Sequence, residues 1–316
     1  KTKCEYLNIE SAFDIETTST IYNGEKSAFM YVWMFGIGYG NDVFYGRTWD
    51  EFLSLCELLM VYFDLHENKR LITYVHNLGY EFQFMRKFFN WEGVFSIDER
   101  KPIKALCDMG IEFRCSYILS GYSLAILAKN LTTHKVKKME GYLDYELIHH
   151  HETELTEKEW CYCENDIVVV NAYINEQIAQ YKLITKIPLT NTGRVREYVK
   201  NQCYRIISDD GTPERTPEAK RKYCKYRKMI QDLTITVEEY ERLKRAFMGG
   251  FTHSNPYHTN KVLENVGSVD LTSSYPTVML SEKYPMSKGR PITIKSMSDL
   301  KENMKKYCLL MDIRIE

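Results

Sequence analysis

At 316 residues, with 44% hydrophobic and 27% charged side chains, the chain has the composition of an ordinary globular protein with room for one large domain and part of a second. A formal net charge of −1 argues against coating nucleic acid by bulk electrostatics, and no apolar run reaches the ~20 residues of a membrane helix. The nine cysteines are odd in number and contain no CxxC pair, which points to reduced thiols in a cytosol-like compartment rather than a disulfide framework or structural zinc site.

Apolar, β-rich segments predict strands near residues 7–13, 30–37 and 71–75, and again near 103–107 and 111–117. Helical apolar spacing predicts helices over 51–65 and 80–89. A long helix is expected from Glu157 to Tyr181, with Thr156 as N-cap and Glu157 and Glu159 in its first turn. Strands alternating with helices fit an α/β, RNase H-like core over residues 1–186. Residues 187–262 read as a mostly helical connector interrupted by the turn-rich stretch Ser208–Pro217, and 263–316 as a segment where strand-like pieces such as Val266–Val269 return. Between Arg194 and Lys228, 11 Lys/Arg face 5 Asp/Glu, enough for a local basic patch along a phosphate backbone or for a solvated helix face. The chain opens on Lys1 with no signal-peptide pattern, so a fragment of a longer protein is expected.

The chemistry is carried by carboxylates. Phe13-Asp14-Ile15-Glu16-Thr17-Thr18 places two acids two residues apart on a strand, hence on one face. Paired anions suit a hard divalent cation such as Mg²⁺ or Mn²⁺. Further on, His76-Asn77-Leu78-Gly79-Tyr80-Glu81-Phe82 crosses a strand-to-helix turn and sets Glu81 between aromatics. In Tyr162-Cys163-Glu164-Asn165-Asp166, Tyr162 and Asp166 stand four apart on one helical face. Each piece alone is common; an acidic strand end or an ordinary turn would look the same.

Together, in this order, they resemble the three exonuclease motifs of DEDD-type proofreading nucleases with the tyrosine form of the third. The surroundings resemble protein-primed family-B DNA polymerases of phages and linear plasmids. Ser123-Leu124-Ala125-Ile126-Leu127 is similar to that family's single-stranded-DNA contact motif, and Lys137 or Lys138 falls where the family keeps a catalytic lysine. The resemblance implies two divalent ions on Asp14, Glu16 and Asp166, with Tyr162 orienting the attacking water and a lysine neutralising phosphate charge. It also implies that Thr17, His76, Asn77, Tyr80, Ser123 and Leu124 contact DNA. The family usually has Asp where this chain has Glu81, so weaker or Mn²⁺-favouring activity is expected.

Phe247-Met248-Gly249-Gly250-Phe251 is similar to the family's YxGG motif, which implies DNA contacts at Gly249 and Gly250. Asp270-Leu271-Thr272-Ser273-Ser274-Tyr275-Pro276 resembles polymerase motif A, which implies metal binding at Asp270 and nucleotide contact at Tyr275. No second polymerase carboxylate motif follows, so these 316 residues are not expected to polymerise on their own. The implied partners are single-stranded and primer-template DNA, with a terminal priming protein as a further candidate; a monomer in a phage, plasmid or bacterial host cytosol is expected. The alternative is a non-catalytic scaffold that holds single strands or a terminal protein. His149-His150-His151 reads as loop, since consecutive histidines cannot face one ion in regular structure.

Overall fold

The structure, a computed structural model, describes residues 4–22, 24–40, 42–139, 147–204, 216–246 and 255–311. The chain divides into two compact units after Val199.

The first unit is built on one mixed sheet. In chain order its strands are β1 (Glu5–Tyr6), β2 (Ser11–Tyr22), β3 (Glu25–Ile37), β4 (Val43–Gly46), β5 (Lys69–Val75), β6 (Trp91–Ser96), β7 (Pro102–Cys107) and β8 (Ile111–Cys115). The spatial order is β4-β3-β2-β5-β8-β7-β6, with β1 also paired to β5. β2, β3 and β4 form an antiparallel meander, β5 and β8 run parallel to β2, and β6–β7 is an antiparallel extension. The parallel neighbours β2 and β5 are joined through α1 (Trp49–Phe63), in keeping with the long crossover that parallel pairing requires. α1 starts with a complete capping box: Thr48 accepts from Glu51 N, and the Glu51 carboxylate accepts from Thr48 N at 2.9 Å.

Strand alternation sorts the core into two faces. Phe13, Ile15, Trp33, Phe35, Val75 and Phe113 pack toward α1 and α2 (Leu78–Met85), where Phe13 stacks on Phe52 with ring centroids 4.3 Å apart. Ala12, Val32, Met34 and Ile72 pack on the other side, against the short α3 (Ser116–Ser120), α4 (Leu124–Lys129) and the long α5 (Glu157–Tyr181). α5 presents Cys163, Asp166, Ile167, Val170 and Ile174 at three- and four-residue spacing, so one stripe is buried. Thr156 caps it with a second capping box, through Glu159. Gly36 on β3 makes close packing possible: a Cβ there would lie 2.5 Å from Ile167 Cγ2 and 2.8 Å from Asn171 Nδ2. A register shift opposite Glu16/Thr17 leaves Tyr31 as the extra residue of β3, and its carbonyl accepts from Arg47 Nε at 2.6 Å. The same guanidinium donates to the His150 and Thr153 carbonyls, pinning the loop that holds the triple histidine. His149 in that loop is buried and stacked on Tyr31.

Several boundaries differ from expectation. Residues 7–9 lie outside the strands, and the β8 ladder ends at Cys115 because α3 begins at Ser116. α2 stops at Met85, short of the expected residue 89.

α6 (Asn191–Tyr204) follows a single 3-10 turn at Ile184–Lys186 and crosses the division between units. The second unit contains α7 (Pro217–Asp232), α8 (Val237–Ala246), α9 (Ser274–Ser281) and α10 (Met297–Lys306), with no strand among its described residues. The expected strand at Val266–Val269 is absent. Val266 is 70% and Val269 94% exposed, and β-branched side chains hold a strand only against a packed face and a paired neighbour.

Candidate active site

The site forms where β2 passes under α5. On β2, Phe13 and Ile15 point into the α1 face, so Asp14 and Glu16 point toward α5, from which Asp166 descends. Carboxylate oxygens of Asp14, Glu16 and Asp166 all lie within 4.8 Å of one another. Among the described residues this is the one such grouping of three potential ligand side chains.

Three anions this close, with little water, repel. Asp14 is held well above the ordinary carboxylate range, first by burial and then by the charges of Asp166, Glu81 and Glu16. Glu16 is pushed up to about 8 by burial and by Asp166. Asp166 is raised too, chiefly by burial, although Lys138 pulls it down. Glu81, in the first turn of α2, is 4% exposed and also pushed up to about 8 by burial, with Glu16 adding to the rise. It lies beside the three-oxygen cluster rather than within it. Its Oε2 is buried and accepts no hydrogen bond among the described residues.

Among the described residues, Lys138 is the cation that answers these charges. Lys138 forms an ion pair with Asp166, and its Nζ sits 3.8 Å from the Tyr162 ring centroid. Lys137, one residue earlier, is exposed. The structure therefore separates two lysines that spacing alone leaves equivalent. Phe13, Asp14, His76, Leu124, Lys138, Tyr162, Asp166 and Val170 line a cavity of about 260 Å³ over the carboxylates.

Of the remaining expected residues of the first unit, His76 and Leu124 line this cavity, and Thr17, Asn77, Tyr80 and Ser123 are chain neighbours of Glu16, His76, Glu81 and Leu124. Thr17 and Tyr80 are hydrogen-bonded through their hydroxyls, and Tyr80 is 43% exposed. Asn77 turns the chain from β5 into α2 in the left-handed region (φ 80°), which Asn tolerates better than most residues. His76 Nδ1 lies 3.0 Å from Ser116 Oγ, and burial lowers its pKa to about 4, so its ring is neutral near pH 7. Ser123 is the exposed N-cap of α4, and Leu124 follows it into the cavity wall.

The other expected residues lie outside the described part of the first unit. Gly249 and Gly250, with the rest of 247–254, lie outside the described residues. Asp270 and Tyr275 belong to the second unit and are exposed; α9 begins at Ser274, two residues before Pro276. Sequence reasoning missed Gly36, whose bare Cα sets the approach of α5, and Asn165, whose side chain holds the loop bearing Lys138. A lone glycine in an apolar strand gives no hint of the helix that crosses it.

No protein-family model matches the chain, and no curated protein matches it. Solved structures do. Phi29 DNA polymerase complexed with single-stranded DNA matches with a TM-score of 0.51 at 14% identity, covering 79% of this chain and 41% of the polymerase. The same polymerase with primer-template DNA, a post-translocation binary complex, gives the same values, and its orthorhombic crystal form a TM-score of 0.50. The chain thus shares the mixed α/β fold of part of phi29 DNA polymerase and spans 41% of the length of that protein.

Proposed function

We propose that this chain is a metal-dependent 3′→5′ exonuclease acting on single-stranded DNA, and that it belongs to a protein-primed family-B DNA polymerase. The observation that carries the reading is the group of three carboxylates, Asp14, Glu16 and Asp166, within 4.8 Å under one cavity. The donor set fits a hard divalent cation: three carboxylates are gathered where burial, with neighbouring charge added at Asp14 and Glu16, holds their protons, and a Glu81 oxygen without a hydrogen-bond partner among the described residues adjoins them. Mg²⁺ or Mn²⁺, two ions in the mechanism proposed, would be held by Asp14, Glu16 and Asp166, with Glu81 at the margin. The strand order, an antiparallel meander flanked by strands parallel to β2, supports an RNase H-like assignment.

Bound divalent ions would supply Lewis acidity and a water of lowered pKa. The chain's own groups do the rest. Tyr162 stands at the cavity wall four residues from Asp166, where its hydroxyl can orient the attacking water. Lys138, paired with Asp166 in the metal-free chain, would be available to offset charge growing on the phosphate where bound ions take up the Asp166 charge. Tyr80 offers an exposed ring on which a base can stack whatever its identity, and Leu124 and Ser123 flank the entry. His76, neutral, can hydrogen-bond without drawing the phosphate as a cation would.

The same proposal assigns residues 187–262 and 263–316 to the polymerase-related part, with Asp270 and Tyr275 as metal and nucleotide contacts and primer-template DNA as a further ligand. The direct test is degradation of a 5′-labelled single-stranded oligonucleotide in Mg²⁺ or Mn²⁺. A ladder of shortened products is expected from the wild type and none from Asp14→Ala/Glu16→Ala. Wild-type protein that binds the oligonucleotide yet leaves it intact in both metals would replace this reading with that of a non-catalytic single-strand scaffold.

A further inference from the structure

We propose that Asn165 is a positioning residue that fixes Lys138 over Tyr162 and against Asp166; its catalytic meaning rests on the exonuclease reading above. The observation is a two-point clamp. Asn165 Oδ1 accepts from the Met139 backbone N–H at 2.8 Å, and Asn165 Nδ2 donates to the Lys137 carbonyl at 3.1 Å. These are polar groups on either side of Lys138, so one side chain brackets the residue whose ammonium enters the site. Asparagine suits the task because its short amide carries a donor and an acceptor at one end.

The segment is fastened a second time along the same helix. Glu176 Oε1 accepts the backbone N–H groups of Thr132, Thr133 and His134 at 2.9, 2.5 and 3.1 Å. Residues 132–139 have neither helix nor strand to order them. Their placement comes from α5, which also carries Tyr162 and Asp166. A lysine stem is long and flexible, and it reaches a fixed target only if its backbone is held. With Asn165 in place, Nζ reaches both the Tyr162 ring, 3.8 Å away, and the Asp166 carboxylate. The clamp residue is the immediate neighbour of Asp166, so any shift of α5 that moves the carboxylate moves the lysine with it.

The test has two arms on the full chain. In the first, metal-free wild type and Asn165→Ala are acetylated at limiting reagent, and the rates at Lys138 and at exposed Lys137 are read by peptide mass spectrometry. The Lys138 rate relative to Lys137 is expected to rise at least about fivefold in the variant, because a loosened ammonium leaves its buried ion pair. An unchanged ratio overturns the proposal. In the second, kcat and KM on single-stranded DNA are measured for Asn165→Ala, Lys138→Ala and the double variant. Asn165→Ala is expected to lower kcat about 10- to 100-fold with KM within about twofold, as misplacement of a charge-stabilising group does. The double variant is expected to be no slower than Lys138→Ala alone. Additive losses, or a wild-type kcat in Asn165→Ala, would show that Asn165 does not act through Lys138. Asn165→Asp keeps the acceptor for Met139 and loses the donor to Lys137; it should fall between the others in the labelling arm and serves if Asn165→Ala does not fold. If wild type cleaves nothing in either metal, the exonuclease reading fails, and the labelling arm alone still decides whether Asn165 holds Lys138.

Discussion

The crowded carboxylates make the metal-free protein's stability depend on pH in an unusual direction. Glu16 and Glu81 are both pushed up to about 8, from an ordinary value near 4.5. Between those values the folded protein binds more protons than the unfolded chain, so stability falls as pH rises through the window and levels off above pH 8. Each carboxyl contributes a slope of up to about 1.4 kcal/mol per pH unit. Burial is the first cause of both rises and charge repulsion adds to it: in the Asp14–Glu16–Asp166 group, two unit charges within 4.8 Å interact by about 3.5 kcal/mol or more at an effective dielectric constant near 20. His76, lowered to about 4, acts with the opposite sign, but at pH 6.5, its unfolded-state value, only about 0.4 kcal/mol of its contribution is still to come. Urea unfolding in chelator at pH 6.5, 7.25 and 8 therefore isolates the carboxylates. The wild type should lose roughly 1–3 kcal/mol over this range. Glu16→Gln/Glu81→Gln should be more stable than wild type at pH 8 and nearly flat. Added Mn²⁺ should stabilise the wild type most at pH 8, where it competes with fewest protons. Wild-type stability that is level or rising from pH 6.5 to 8 in chelator would refute the crowding argument.

Three further outcomes follow from particular contacts. Gly36→Val should separate β3 from α5 where a Cβ already meets Ile167 at 2.5 Å, costing about 1–3 kcal/mol; an unchanged urea midpoint would mean that α5 tolerates the added bulk. Lys137→Ala should leave exonuclease turnover near wild type, whereas Lys138→Ala should reduce kcat about 100-fold or more, and equal losses would contradict the assignment of Lys138. Glu112 is fully buried, and although burial alone would raise its pKa, Arg114 and then Lys104 bring it below the ordinary range. Glu112→Ala leaves Arg114 without its partner at 2.6 Å, so unfolding should ease by about 3–5 kcal/mol, and a loss under about 1 kcal/mol would show that the pair is dispensable.

How much of this could be read from the sequence depends on what each feature needs. α5 was legible to the residue, from Glu157 to Tyr181, because its start is written locally in Thr156 and Glu159. The pairing of Asp14 with Glu16 was legible because strand alternation is a period-two rule. Their meeting with Asp166 required a helix to cross a strand some 150 residues earlier, which a motif order suggests but no local pattern dictates. The choice between Lys137 and Lys138 was illegible, since residues 132–139 have no periodicity of their own and take their path from Asn165 and Glu176. Val266–Val269 misled for the converse reason: β-branched composition states a preference, and its residues here are exposed, with no partner strand among the described residues.

Glu81 shows where local and tertiary logic meet. Its place in the first turn of α2 was predictable, and a carboxylate there suits a helix N-terminus. The tertiary fold then encloses it beside three other acids and leaves Oε2 without a hydrogen-bond partner among the described residues. An ionised carboxylate in that position is costly unless a cation joins it, and its longer side chain must fit the same ion as shorter Asp14 and Asp166. Mg²⁺, demanding near-ideal octahedral coordination, suffers most from the extra methylene. Glu81→Asp should therefore raise cleavage in Mg²⁺ relative to Mn²⁺ if Glu81 takes part in the metal site. If the two metals support equal wild-type rates and the substitution changes neither, Glu81 is a neighbour of the centre and not a member of it.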